Sequence, residues 1–375
     1  MSFKSLSIKD LLLVSLLLCL FGAAGCLNNF DSADDVTAGE KYSDATVTAL
    51  SRIIDDNLLL ASAPGSIVGI WQRGYEPLFL TNGKADIVSG RKPSAKDHFR
   101  MASNTKMFTA TAILMLADEK KLSLDDKVAK YLPDIPYANE ITIRQLANHT
   151  TGLFNYTESK AFGEVVVADP QKKWTPGELV DFAKNEPLAF TPGTKYSYSN
   201  TGYIILGMLV EKVSGIKWEN FIAQRILAPL DLKDTYCPED SKISGEYIKG
   251  YQPSSGTASA VEVFIDPSLA WAAGSIITTL SDMKTWLDAV RNGTLLSPAM
   301  QAERKNWVQM SDPGNYYGFG LMNINDKFLG HTGGTPGYNS FAFTSFDSTK
   351  TIIVLVNVQA GATETATGII QYLFQ

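Results

Sequence analysis

The stretch Phe99-Arg100-Met101-Ala102-Ser103-Asn104-Thr105-Lys106-Met107-Phe108, continuing through Ala110, Ala112, Ile113, Leu114, Met115, Leu116 and Ala117, decides how this chain is read. Residues 103–120 carry a helical pattern whose apolar positions fall on every side. A helix that is apolar all round belongs at the centre of a fold, not on its surface. Ser103 stands at its start, where free backbone N–H groups and the helix dipole favour negative charge. Lys106 follows one turn later on the same face. Burial lowers a lysine pKa, and a neutral amine can take a hydroxyl proton. Ser103 also reads as a plain N-cap, and the spacing alone does not choose between nucleophile and cap.

Ser-x-x-Lys occurs four times, so context has to separate the matches. Ser89 lies in a loop of glycine and charge, Ser214 looks like a helix stop, and Ser281 reads as an N-cap. Tyr-x-Asn occurs twice. Tyr137 follows Pro136 in a loop, whereas Tyr198-Ser199-Asn200 sits in a polar turn before the apolar helix Ile204–Val213. A phenol beside a lysine amine can shuttle a proton, and an amide can orient a substrate. The remaining motif is His331-Thr332-Gly333-Gly334 before the strand-like run Asn339–Ser345. Glycines on an edge strand permit close approach of a substrate backbone, and a free N–H there can join that of Ser103 in an oxyanion hole. His149 has no acid/base partner visible in sequence and reads as structural.

Around these motifs the pattern is α+β. A helix is expected over about 46–60, with Leu50, Ile53, Ile54 and Leu58 as its stripe. Ser66–Gln72 and Pro77–Asn82 form a hairpin about Arg73-Gly74, and Asn339–Ser345 and Lys350–Asn357 a second one turning at Asp347-Ser348. Ala362–Phe374 closes the chain as a helix. One antiparallel sheet therefore draws strands from both ends, about 46–100 and 315–375, with the two terminal helices packed on it. A mainly helical part, about 101–314, is inserted between them, with helices near 176–185, 201–214, 217–227 and 281–292.

The composition is that of a globular protein, 45% hydrophobic and 19% charged over 375 residues with net charge −6, and it excludes a nucleic-acid footprint. Lys4 and Lys9 precede an apolar run from Leu11 to Ala24, the layout of a secretory signal. Ala23-Ala24-Gly25-Cys26 resembles a lipoprotein cleavage box, which implies residues 1–25 as signal, Cys26 as the lipid-modified residue and 26–45 as a tether. An uncleaved anchor and ordinary secretion are the alternatives; each reading makes the domain 46–375 extracytoplasmic, and the lipoprotein reading holds it at the membrane through its lipid anchor. Removing Lys4, Lys9 and Asp10 with the signal takes the charge from −6 to −7, so any anion specificity has to be local. Cys237 is left unpaired, a filler rather than a nucleophile, and no metal or cofactor is expected.

Taken in order, the motifs resemble the serine beta-lactamase and D-alanyl-D-alanine carboxypeptidase superfamily, in its class C-like branch. The likeness extends to Ile141-Thr142-Ile143-Arg144-Gln145-Leu146, Asn148-His149-Thr150-Thr151-Gly152-Leu153, Pro192-Gly193, Ala273-Gly274-Ser275-Ile276 and Tyr317-Gly318-Phe319-Gly320-Leu321. It implies the beta-lactamase/DD-peptidase fold and a penicillin-binding serine hydrolase working through an acyl-enzyme. Ser103 would be acylated, with Lys106 and Tyr198 handling protons. Asn200, His331, Thr332 and Gly333 would bind substrate, and Ser103 and Gly334 would supply the oxyanion N–H groups. Small esters, beta-lactams and peptides, including peptidoglycan stem peptides, are the candidate substrates; a slow-turnover penicillin binder is the alternative. Two departures matter. Met322 stands where carboxypeptidases of this branch carry a carboxylate-gripping arginine, and Gly334 replaces a hydroxyl residue. They shift the expectation towards an esterase or D-amino-acid amidase.

Overall fold

The two predicted hairpins join in one sheet. A computed structural model describes residues 39–252 and 260–374. Its main sheet has eight antiparallel strands in the order Leu78–Gly83, Gly65–Gln72, Lys350–Val356, Tyr338–Ser345, Phe328–Thr335, Met322–Ile324, Asn315–Tyr317 and Val308–Gln309. The central join is between Gly65–Gln72 and Lys350–Val356, where Ser66 pairs with Val356 and Gln72 with Lys350. Strands from the two ends of the sequence thus lie side by side, as the two hairpins implied.

Period-2 alternation sorts the sheet's residues into two cores. Val68, Ile70, Ile352, Val354 and Phe343 face the terminal helices Asp44–Ala61 and Ala362–Phe374, meeting Leu50, Ile54, Leu58, Ala366 and Ile369. Ile67, Ile353, Leu355 and Ala342 face the other way, into the helical part. Ser43 caps the first helix, accepting from the Thr46 N–H at 3.1 Å. The helix Thr105–Asp118 is buried without a break from Thr105 to Leu116, as its all-round apolar pattern required.

Three local readings are corrected. Ser103 is not a cap: it lies in a single 3-10 turn, Ala102–Asn104, and the helix begins after it. Ser281 is not a cap either, because Thr279 caps the helix Leu280–Asn292 by accepting from the Asp282 N–H. Residues 217–227 divide into the short helix Trp218–Ile222 and a wider π-turn, Ala223–Leu227. The helices Ile143–Ala147, Lys160–Ala168 and Pro298–Arg304 are additional to the sequence reading. The signal segment, Cys26 and most of the tether fall outside the described residues.

Candidate active site

Ser103 is held where the helical part meets a sheet strand whose outer edge is open. Strand Phe328–Thr335 pairs with Tyr338–Ser345 along its whole length, but with Met322–Ile324 only at Phe328–Gly330. Beyond Gly330 its outer edge has no partner strand among the described residues. The two-residue turn Pro336-Gly337 makes Thr335 and Tyr338 the closing pair. Antiparallel alternation then directs His331, Gly333 and Thr335 to their neighbour strand and turns the N–H groups of Thr332 and Gly334 outward.

The nucleophile turn is pressed against that strand. A Cβ on Gly333 would stand 2.4 Å from the Met101 carbonyl oxygen and 2.4 Å from Ser340 Oγ. Gly333 lines the cleft, yet this contact with the protein's own turn, not approach of a substrate, is what demands a glycine there. Ser340 Oγ donates to the Met101 carbonyl at 2.9 Å, and Asn104 Nδ2 donates to Ser340 Oγ at 2.9 Å. Ala102 adopts φ +51°, a left-handed conformation rare for a residue with a side chain, and strain of this kind collects at functional sites. The outcome is a serine in the 3-10 turn that leads into a buried helix, where N–H groups lack intrahelical acceptors.

Lys106 Nζ lies 3.1 Å from Ser103 Oγ, 2.7 Å from Asn200 Oδ1 and 2.7 Å from the Ala273 carbonyl oxygen. Its side chain is fully buried, and that desolvation pushes its pKa well below the usual lysine value. A neutral amine has two protons and one lone pair. With Asn200 and Ala273 accepting two protons, loss of the third would leave the lone pair facing the Ser103 hydroxyl. Tyr198 completes the chain, donating its hydroxyl to Ser103 Oγ at 2.9 Å. Burial raises the Tyr198 pKa, so the resting group is a phenol. Asn200 is fixed in turn, its N–H donating to Asn155 Oδ1 and its Nδ2 to Thr157 Oγ1. The structure therefore brings Ser103, Lys106, Tyr198 and Asn200 into one network. The second Tyr-x-Asn has no part in it: the Tyr137 hydroxyl donates to the Glu186 carbonyl.

His331 borders the cleft but is 2% exposed, with both ring nitrogens engaged. Its Nδ1 lies against the Thr332 carbonyl oxygen, and Nε2 is 2.9 Å from the Tyr317 hydroxyl. A carbonyl only accepts, so Nδ1 carries the proton and Nε2 accepts from Tyr317. Burial, reinforced by Lys106, lowers the His331 pKa to about 3. This imidazole is neutral at ordinary pH and gives a substrate no positive charge.

Residues outside the three motifs complete the site. A cleft of about 470 Å³ is lined by Ser103, Tyr198, Asn200 and Thr332, and also by Tyr196, Tyr317 and Met322. The hairpin tip Met310-Ser311-Asp312 forms its lip. His149 stands behind the site, 1% exposed at φ +60°. Its Nδ1 accepts from the Ser199 N–H at 3.2 Å, and its ring centroid is 4.3 Å from that of Tyr198 and 4.6 Å from that of Tyr317. It thus packs the face of Tyr198 and holds the following peptide, an arrangement that sequence spacing could not show.

Known proteins resemble this chain in sequence and in fold. The sequence profile of the family described as Beta-lactamase matches residues 50–373. Penicillin-binding protein 4* of Bacillus subtilis is 30% identical over 296 residues, covering 73% of this chain and 64% of that protein. A D-aminopeptidase of Cereibacter sphaeroides is 26% identical over 337 residues, covering 86% and 62% respectively. The chain spans less than two thirds of the length of either relative. Among solved structures, a D-stereospecific amidohydrolase from Streptomyces sp. superposes with TM-score 0.78 at 31% identity, covering 87% of this chain and 98% of that one. A D-amino acid amidase from Ochrobactrum anthropi gives TM-score 0.75 at 25% identity with the same coverage.

Proposed function

The chain belongs to the beta-lactamase family of serine hydrolases, and from that premise we propose that it hydrolyses small D-aminoacyl amides and esters through an acyl-enzyme on Ser103. The observation that carries the reaction is the hydrogen-bonded chain Tyr198–Ser103–Lys106, with its buried amine. Ser103 Oγ attacks the acyl carbonyl and its proton passes to the Lys106 lone pair. The carbonyl electrons move onto oxygen, which the N–H groups of Ser103 and Gly334 receive. As the tetrahedral centre collapses, the bond to the leaving nitrogen or oxygen breaks. Tyr198 gives its proton to that atom and is reprotonated from Lys106. Water then attacks the acyl-enzyme by the reverse proton path and frees Ser103.

The substrate class rests on charge. Lys106 and His331 are the basic groups beside Ser103 among the described residues, and burial lowers the pKa of both, that of His331 to about 3. Met322 lines the cleft with its thioether, to which Thr332 Oγ1 points at 3.9 Å. Among the described residues lining the cleft none grips a terminal carboxylate, so an amidase or esterase on D-aminoacyl compounds fits better than a carboxypeptidase. Relatives named as a D-aminopeptidase, a D-amino acid amidase and a D-stereospecific amidohydrolase support the same choice.

The test compares the protein with Ser103→Ala on D-alanine amide, a D-Ala-D-Ala peptide, a chromogenic cephalosporin and p-nitrophenyl butyrate. Serine-dependent release from the amide and the ester, with slower turnover of the dipeptide, is expected. Hydrolysis unaffected by Ser103→Ala would remove the mechanism, and persistent labelling by a fluorescent penicillin without turnover would make the protein a binder. We further propose that Cys26 tethers the domain to the outer face of a membrane. Cys26→Ala should move the protein from the membrane fraction to the soluble one, and an unchanged distribution would refute the anchor.

A further inference from the structure

Among the described residues the cleft is lined by one carboxylic acid, at its lip. Asp312 sits at the tip of the hairpin formed by Val308–Gln309 and Asn315–Tyr317, and it lines the same cleft as Ser103. Its backbone carbonyl accepts from Gln309 Nε2 at 3.1 Å and from the Asn315 N–H at 3.2 Å, so the tip has a defined shape. Its carboxylate makes no ion pair and accepts no side-chain hydrogen bond among the described residues. The other residues lining the cleft, Tyr196, Tyr198, Tyr317, Asn200, Thr332, Ser311, Met310 and Met322 among them, bear no charge, and His331 is held neutral by burial. A concave site walled by low-dielectric protein and holding one carboxylate attracts cations and repels anions.

We propose that Asp312 is a specificity-determining residue that pairs with an ammonium group on the substrate, so that the preferred acyl donor carries a free amine. This rests on the reading of Ser103 as nucleophile and narrows it. An N-acylated donor, or one ending in a carboxylate, would place a neutral or negative group against Asp312 and lose the pairing. A D-aminoacyl ester or amide with its α-amine free keeps it. The lip is the position from which a carboxylate can select substrates without disturbing the buried proton chain, because it touches neither Lys106 nor Tyr198.

Three esters read by pH-stat test the assignment: D-alanine methyl ester, N-acetyl-D-alanine methyl ester and p-nitrophenyl butyrate. The wild type should favour the free amine over its N-acetyl analogue. Asp312→Asn keeps the shape and removes the charge. It should lower kcat/KM on D-alanine methyl ester about tenfold, mostly through KM, the loss expected for one charge-assisted contact. It should leave N-acetyl-D-alanine methyl ester and p-nitrophenyl butyrate unchanged, and added salt should weaken the wild-type preference but not the variant's. Equal loss on all three esters, no loss on the free amine, or a preference that survives Asp312→Asn would overturn the assignment. So would failure to cleave either alanine ester while p-nitrophenyl butyrate is turned over through Ser103. If butyrate hydrolysis itself does not depend on Ser103, the nucleophile has failed and not merely the anchor.

Discussion

His331 allows the charge state of the cleft to be measured as a stability. Its pKa falls from 6.5 to about 3 because the ring is buried. Above pH 6.5 it is neutral in both folded and unfolded chains. Below 6.5 the unfolded chain binds a proton that the folded chain refuses until about pH 3. Stability contributed by the neutral ring is therefore complete above 6.5 and is lost progressively down to about 3. One proton is worth about 1.4 kcal/mol per pH unit, so His331 alone removes about 2 kcal/mol between pH 6.5 and 5.0. His149, also lowered by burial, adds a slope of the same sign. His331→Gln keeps a polar neighbour for the Tyr317 hydroxyl but cannot titrate. Urea unfolding of both proteins at pH 7.5 and 5.0 gives four free energies. The wild type should lose about 2 kcal/mol more than the variant between the two, and differencing cancels any constant effect of the substitution. Keeping above pH 5 avoids most carboxylate titration, since unfolded Asp and Glu titrate near pH 4. Equal pH dependence would mean that His331 is charged in the folded state at pH 5. The argument against carboxylate-bearing substrates would then fail with it.

Gly333→Ala should destabilise the fold by about 1–3 kcal/mol and impair acylation, because its Cβ would meet a backbone carbonyl that cannot withdraw. Gly334→Ser, whose nearest neighbour would be 3.8 Å away, should be tolerated in both thermal melts and ester hydrolysis; the reverse order would refute the packing account. Lys106→Met should abolish acylation yet raise stability, since the unfolded chain protonates this lysine below 10.5 while the folded chain resists it. The gain in urea midpoint should be larger at pH 7 than at pH 10, and a less stable variant would contradict the neutral amine. His149→Phe should lower kcat more than it raises KM, because the ring face against Tyr198 survives while the Ser199 N–H loses its acceptor. A pure stability loss with unchanged kcat per folded molecule would make His149 only structural.

The outer frame of the fold was legible because it follows short-period rules. β-rich apolar runs beside turn residues marked Ser66–Gln72 and Lys350–Asn357, found as the strands Gly65–Gln72 and Lys350–Val356, and the unbroken apolar helix marked the buried Thr105–Asp118. Ser103 could not be separated from a cap by spacing, since both uses place a serine at a helix start. The structure differs because a 3-10 turn with a strained Ala102 precedes the helix and directs Oγ to Lys106 and Tyr198. His149, Tyr317 and Asp312 carry no local periodic signal as site residues. They reach the site through a left-handed backbone position, a short strand and a hairpin tip, all fixed by tertiary packing.

The three basic groups behind the cleft also explain why a substrate amine has to be met at the lip. Lys106, His149 and His331 are each buried, and each histidine is pushed further down by the charge Lys106 would carry. Such a cluster tolerates one added proton when a negative charge forms beside it, as when Ser103 gives its proton to Lys106 and the oxyanion appears. It would not tolerate a permanent substrate cation in the same space, because repulsion would then oppose the transfer that starts the reaction. A cationic acyl donor is compatible with this chemistry only if a negative group in the cleft balances its charge away from the buried cluster. Asp312 is the ionisable acid lining the cleft that can do so, which couples the neutrality of the catalytic base to the choice of substrate.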